Sequence, residues 1–201
     1  MKKSSEESQK TKERIIESAL YTFLEKGYSQ TSVEDIVTPL KLTRGAFYWH
    51  FKDKDDLFKS IMHMEQSQRV NAMNSIISEN KDERKKLESI MINIIDNFYE
   101  NERYRSFIKL RWFRIEHDPN KFALPITMQM NQTTESALFN TIESAKEKGM
   151  LVDNIVPFEI ASHLIALING IYRMYFVGPE FFLTKENPIK MVLDYIKLIF
   201  K

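Results

Sequence analysis

Thr43-Arg44-Gly45-Ala46-Phe47-Tyr48-Trp49-His50-Phe51-Lys52-Asp53-Lys54 is a short run, aromatic in its middle and basic at its edges. Thr43 is suited to cap a helix, because its hydroxyl can accept from a backbone N–H of the first turn. Phe47 and Phe51 stand four apart, so both rings fall on one helical face and can anchor it to a core. The remaining face carries Thr43, Arg44, Gly45, Tyr48, Trp49 and His50, a set of hydrogen-bonding groups and flat rings. Barely two turns of helix are not stable alone in water, so neighbouring elements must hold this one. An anchored helix with such a face fits a recognition helix offered to DNA. The plainer alternative is an amphipathic packing helix whose Tyr48 and Trp49 are half-buried. Trp49 by itself fits equally well as a brace between the head and the rest of the chain.

The residues before this run supply the support. From Gln9 onward Ile15, Ile16, Ala19, Leu20, Phe23 and Leu24 repeat at helical spacing, and Gly27 ends that helix. Residues 1–8 are polar and expected to fray. Ser32 and Asp35 have capping-box spacing and open a second helix with Val33, Ile36 and Val37 as its apolar side. Pro39 closes it. A tight turn at Leu40-Lys41-Leu42 leads to the third helix. Two short helices joined this way form a helix-turn-helix, completed by the preceding helix into a three-helix head. Asp53 then caps a long fourth helix, with Asp55 and Asp56 in its positive first turn.

Composition narrows the rest. The chain has 201 residues, 29 basic and 28 acidic side chains and a net charge of +1, so any attraction to nucleic acid must be local. Lys41, Arg44, Lys52 and Lys54 against Asp53 alone provide it. There is no cysteine, which excludes disulfides and thiolate metal sites. The opening Met1-Lys2-Lys3-Ser4-Ser5-Glu6-Glu7 lacks the apolar core of a signal peptide. The longest apolar run, 160–172, is broken by Ser162, His163, Asn169 and Gly170, so no membrane span and a cytoplasmic location are expected. Beyond residue 56 the periodicity is helical throughout. It gives a fifth helix at 82–100, a sixth at 104–115, a seventh at about 120–148 closed by Gly149, an eighth at 157–177 and a ninth at 188–200. The expected fold class is all-α: a helix-turn-helix head (9–55) on a larger helical body (56–201), about nine helices in total.

The combination Thr31-Ser32-Val33-Glu34-Asp35-Ile36 and Leu42 through Leu57, with Tyr48-Trp49-His50-Phe51 followed by Lys54, resembles the TetR family of transcriptional repressors. Within that family it is most similar to the AcrR-like branch that controls multidrug efflux. The likeness runs to about residue 65, with a weaker one from Asn169 to Pro179. The resemblance implies that Ser32 and Thr43 give hydroxyls and helix N-terminal amides to phosphates. Arg44 would read a base edge, Gly45 would permit close approach, and Tyr48 and His50 would meet phosphate or a thymine methyl. Lys54 would hold a phosphate at the start of the fourth helix, while Trp49 and Lys52 complete the expected DNA-facing set. The family's usual glycine-bearing turn is replaced by Pro39-Leu40-Lys41. Lys41 would need a positive φ to keep that turn, so a distorted turn is expected.

In the body, a ligand cavity among helices four to eight is expected, set against the alternative of ordinary core. Its candidate lining is Gln66, Ile94, Phe98, Phe107, Arg111, Thr134, Leu138, Ile165, Asn169 and Tyr172, apolar walls with a few orienting polar groups. Methionines such as Met62, Met73 and Met91 would suit a pocket that repacks around varied guests, and serve equally as core filler. Glu116-His117-Asp118 has metal-ligand residue types, but consecutive positions do not share a helical face. No catalytic constellation, metal or cofactor is expected. The last two helices are apolar over arcs too wide for one core, which calls for a homodimer through them. The expected partners are therefore a double-stranded, near-palindromic operator, a small lipophilic or aromatic ligand that releases it, and a second copy of the chain. The alternative is a helical protein-interaction module with a head that does not bind DNA.

Overall fold

The computed structural model describes residues 2–112, 124–178, 180, 182 and 184–201, and the side chains of all these except 2–4 and 124–131. Among the described residues the fold is all-α. The helices are α1 (Lys2–Lys26), α2 (Val33–Val37), α3 (Arg44–His50), α4 (Lys54–Glu79), α5 (Glu83–Glu100), α6 (Glu102–Leu110), α7 (Leu124–Glu147), α8 (Pro157–Val177) and α9 (Glu186–Ile199). A 3₁₀ turn, Thr38–Leu40, follows α2. Instead of fraying up to residue 8, α1 is helical from Lys2, since no glycine or proline interrupts the chain before Gly27. Gly27 and Gly149 both take left-handed backbone (φ 84° and 68°) just past helix ends, as their sequence positions predict. The expected end of the sixth helix and the Glu116-His117-Asp118 run lie in part or wholly outside the described residues.

The chain divides into two compact units, one of residues 1–66 and 106–127, the other of 67–105 and 128–201. In the first, Ile15, Ala19, Leu20 and Phe23 of α1, Ile36 of α2, Phe47 of α3 and Leu57, Phe58 and Ile61 of α4 are all buried. Phe23 meets Phe58 edge-on at 6.1 Å between centroids, and Tyr28 meets the same ring at 5.2 Å. The Ser18 hydroxyl donates to the Ile36 carbonyl (2.7 Å), tying α1 to α2. Ser32 forms a full capping box: its Oγ accepts from Asp35 N–H, and the Asp35 carboxylate accepts from Ser32 N–H at 2.8 Å.

The turn between α2 and α3 corrects one expectation. It is not distorted: Lys41 adopts the left-handed conformation itself (φ 56°, ψ 35°). Pro39 sits in the 3₁₀ turn, and Lys41 N–H donates to Thr38 O (3.0 Å) while Leu42 N–H donates to Val37 O (3.1 Å). Those two bonds and the packed helices on either side outweigh the roughly 1–2 kcal/mol that a side chain adds in this region.

The second unit is built on apolar faces that the sequence period predicts. Leu87, Ile90, Met91, Ile94, Ile95 and Phe98 of α5 are buried, as are Leu138 and Ile142 of α7 and Leu164, Ile168 and Ile171 of α8. Lys185, just before α9, pairs with Asp96 (2.7 Å) and Glu100 on α5, and Tyr99 donates to Phe182 O (2.8 Å). Glu83 is a buried charge with several partners. Its carboxylate takes Lys148, Lys86 (3.1 Å) and Ser144 (3.0 Å). A single antiparallel bridge among the described residues joins Leu151 to Phe200 near the chain's end. By length and mean hydropathy alone (1.3 over its most apolar window) α8 is long and apolar enough to cross a membrane, a test that the core helix of a helical bundle also passes. Leu164, Ile168 and Ile171 on that helix are spent on the core instead.

Candidate nucleic-acid interface

Helix α3 is capped and anchored as its sequence requires. Thr43 Oγ1 accepts from Ala46 N–H (3.2 Å), and Phe47 and Phe51 are both buried, their ring centroids 5.6 Å apart. The rings fix the back of the helix, so the front faces outward. Trp49 is 81% exposed and Tyr48 47% exposed, with Thr43, Arg44, Gly45 and Lys52 also at the surface. At that exposure Trp49 is no brace within the described part of the chain. Hydroxyl, guanidinium, indole and phenol project from one rigid seven-residue helix and its cap. Such groups can meet phosphate oxygens and base edges.

The polar members of the set differ in how they are engaged. Thr43 uses its oxygen as acceptor and keeps its hydroxyl proton for an outside group. Ser32 has spent its proton on Asp35 Oδ2 (2.7 Å) as well as its lone pair on the cap. His50 is half-buried, and burial followed by the nearby Lys12 charge pulls its pKa below the ordinary 6.5. A neutral imidazole is thus favoured at neutral pH. Lys54 turns inward: its ammonium donates to Tyr28 O (2.7 Å) and Thr31 O (2.8 Å) and lies 4.5 Å from the Tyr28 ring centroid. This side chain buckles the start of α4 onto the α1–α2 connection, with Tyr28 donating to Asp55 alongside.

Sequence reasoning missed one participant. Glu34 on α2 forms an ion pair with Arg44 Nη1 at 2.9 Å, while Arg44 Nη2 donates to the Tyr48 hydroxyl at 3.2 Å. The only sequence signal is a pair of opposite charges near the starts of the helix-turn-helix helices.

The ten body positions fall into both units. Gln66, Phe107 and Arg111 belong to the first, where Phe107 and Arg111 are buried. In the second, Ile94, Phe98, Thr134, Leu138 and Tyr172 are buried, and Ile165 and Asn169 are half-buried. The structure brings Phe98 and Tyr172 together at 4.4 Å between centroids, with the Tyr104 and Tyr172 hydroxyls 3.4 Å apart. Thr134 accepts from Arg69 Nη1 (3.3 Å), another residue that sequence reasoning did not single out. The open apolar groove of this unit, about 480 Å³, is lined by none of the ten. Its walls are His163, Leu167, Gly170 and Met174 of α8, Met191 and Tyr195 of α9, and neighbouring side chains.

Comparison with known proteins agrees with the geometry. Residues 15–61 match the family model of bacterial regulatory proteins, tetR family. The transcriptional regulator AcrR of Shigella flexneri is 27% identical over 98% of this chain and 91% of its own length. Among solved structures, a SmeT–triclosan complex superposes with a TM-score of 0.81 at 22% identity, over 95% of this chain and 92% of that one. NalD of Pseudomonas aeruginosa superposes at 0.78 with 23% identity, over 98% of both chains. The matched segment spans α1 to the start of α4, the elements that hold the exposed face of α3 in place. Residues 15–61 thus carry the N-terminal domain of the tetR family of bacterial regulatory proteins, and along its length the chain is similar to AcrR-like regulators.

Proposed function

We propose that the chain is a homodimeric, cytoplasmic transcriptional repressor that binds a near-palindromic operator and lets go when a small lipophilic ligand enters its helical body. Residues 9–55 act as the DNA-binding domain and 56–201 as the ligand-binding and dimerisation domain. The observation that carries the reading is the outward face of α3, with Trp49 81% exposed over buried Phe47. An exposed tryptophan beside arginine, tyrosine and threonine on a helix locked from behind makes sense when a second surface covers it. The two recognition helices of a dimer would enter successive major grooves about 34–36 Å apart. The apolar groove between α8 and α9, with Met174 of its wall exposed, and the exposed Leu198 of α9 support those helices as the dimer interface. Control of an efflux operon is supported by the relatives. SmeT is the repressor of a multidrug efflux pump of Stenotrophomonas maltophilia, and NalD a secondary repressor of another in Pseudomonas aeruginosa.

For the ligand, SmeT supplies a precedent in its complex with triclosan, a lipophilic aromatic molecule. The closely packed, mutually tilted rings of Phe98 and Tyr172 offer aromatic walls for such a guest, with Thr134 and Asn169 as orienting groups. A difference of about 1–3 kcal/mol in ligand affinity between the DNA-binding and released states would give the coupling. The deciding experiment selects duplexes from a random pool with the purified protein, with and without triclosan and other lipophilic compounds. Enrichment of a two-fold symmetric sequence, lost on adding a compound, is the expected result. No enrichment would sink the reading.

A further inference from the structure

Arg44 is not a free cation at the surface of the helix-turn-helix. Glu34 Oε1 holds Nη1 at 2.9 Å, the Tyr48 hydroxyl accepts from Nη2 at 3.2 Å, and the guanidinium lies 5.7 Å from the Tyr48 ring centroid. We propose that Glu34 is a positioning residue for Arg44 that sharpens the distinction between operator and other DNA. The proposal rests on the DNA-binding reading above and adds to it a source of specificity.

The pair has no structural task to explain it. Its side chains are 60% and 53% exposed, and an ion pair so open to water is screened and contributes little to stability. α2 is already fixed by the Ser32 capping box and by Ser18, and α3 by Phe47 and Phe51. What the carboxylate does is choose a rotamer for a long side chain and lower its net charge toward the DNA. A guanidinium carries five N–H donors, so one bond to Glu34 and one to Tyr48 still leave enough for a bidentate contact. A guanine offers O6 and N7 as a matched acceptor pair to such a fork. On a duplex with that pair in place, Arg44 binds from the conformation it already has and loses little further freedom.

On any other duplex the balance reverses. Arg44 has to leave Glu34 to reach a phosphate, and the carboxylate so uncovered repels the same backbone. Sequence-independent binding draws on phosphate neutralisation, so it is the term that Glu34 weakens. The result is a larger ratio of specific to non-specific affinity, obtained by penalising the wrong partner.

The test compares wild type with Glu34→Gln on two probes: a duplex that wild type enriches from a random pool, and a scrambled duplex of the same composition. Fluorescence anisotropy is read between about 50 and 200 mM salt, the range over which phosphate contacts are most visible. The variant is expected to bind the scrambled duplex about three- to ten-fold more tightly, the weight of one exposed charge. Its log–log salt slope there should steepen by about 1, one additional phosphate contact. Reselection with the variant should broaden preference at one base position per half-site. Adding Arg44→Ala to both proteins should leave only the carboxylate's own repulsion between wild type and Glu34→Gln, and should remove the broadened preference at that base position. An unchanged thermal midpoint separates this from damage to the head. Enrichment by wild type with the same affinity ratio in the variant would overturn the role of Glu34 alone. A wild type that enriches nothing would overturn the DNA-binding reading and this inference with it.

Discussion

The head and the second unit handle their aromatic residues in opposite ways. In the head, Phe47 and Phe51 are sunk into the core so that Tyr48 and Trp49, their neighbours in sequence, are forced outward. In the second unit, Phe98 and Tyr172 lie on different helices and bury against each other. The first arrangement leaves large rings at the surface, where a partner could cover them. The second is a set of side chains already satisfied by one another, which a guest would have to part. Recognition of a large, rigid polymer suits the first, since little rearrangement is needed on either side. Admission of small molecules suits the second, where rearrangement is the signal.

The largest effects should test whether the anchors in each unit are equivalent. Phe47→Ala and Phe98→Ala each remove a fully buried ring and should cost about 3–5 kcal/mol of stability. Urea titration followed by circular dichroism measures both. The contrast lies in function: at low urea, Phe47→Ala should abolish a gel shift on the selected duplex. Phe98→Ala should retain the shift and alter its response to lipophilic compounds. Equal loss of DNA binding in the two variants would break the comparison.

Arg44→Ala comes next, at about 1–3 kcal/mol on the selected duplex with relaxed preference at one base position. Arg44 is exposed, so its removal should leave stability within about 0.5 kcal/mol. Anisotropy and thermal melts on the same preparation separate the two quantities. A loss of stability as large as the loss of affinity would mean that the residue is structural.

These two sets of residues are not equally legible in the sequence. The capping box at Ser32, the cap at Thr43 and the paired rings at 47 and 51 are all relations within a few positions, so spacing alone exposes them. The end of α1 at Gly27 and the apolar faces of α5 and α8 follow from periodicity for the same reason. Contacts between helices do not. Lys54 reaching back to Tyr28, Glu34 meeting Arg44, and Arg69 finding Thr134 span intervals that no helical period relates. Lys41 shows a third kind of limit. Intrinsic preference argues for a distorted turn, and the packing of two capped helices overrides it. The body's candidate pocket depends wholly on such long-range convergence, so residue type alone is a poor guide to its members.

Glu83 offers a way to perturb the second unit without touching the head. Burial would raise its pKa, but hydrogen bonds from Lys148, Lys86 and Ser144 win and hold it below the ordinary 4.5. A carboxyl with a depressed folded-state pKa adds stability that is present above its unfolded value and disappears as pH falls through the folded one. Stability should therefore decline as pH drops below about 4.3. Glu83→Gln should cost about 1–3 kcal/mol at neutral pH and flatten that acid limb. Urea midpoints at pH 7 and pH 3 report both, and an acid limb as steep in the variant would assign the effect to other carboxylates.

The smallest effect is the most diagnostic for the head, because its two readouts should move in opposite directions. Gly45 lies within α3 at an ordinary negative φ, and a methyl group added there would meet only Thr43 Oγ1, at 3.6 Å. Nothing among the described residues asks for glycine at this position. Alanine should therefore stabilise the fold by about 0.5–1 kcal/mol, by restricting the unfolded chain and favouring the helix. Gly45 is nevertheless on the exposed face between Thr43 and Trp49, where a duplex backbone would come closest. The same methyl would then stand between α3 and DNA, and affinity for the selected duplex should fall. A higher melting temperature together with weaker binding is the pattern expected of a position shaped by its partner. A rise in both would mean that no surface closes on Gly45, and that α3 meets its target elsewhere along its length.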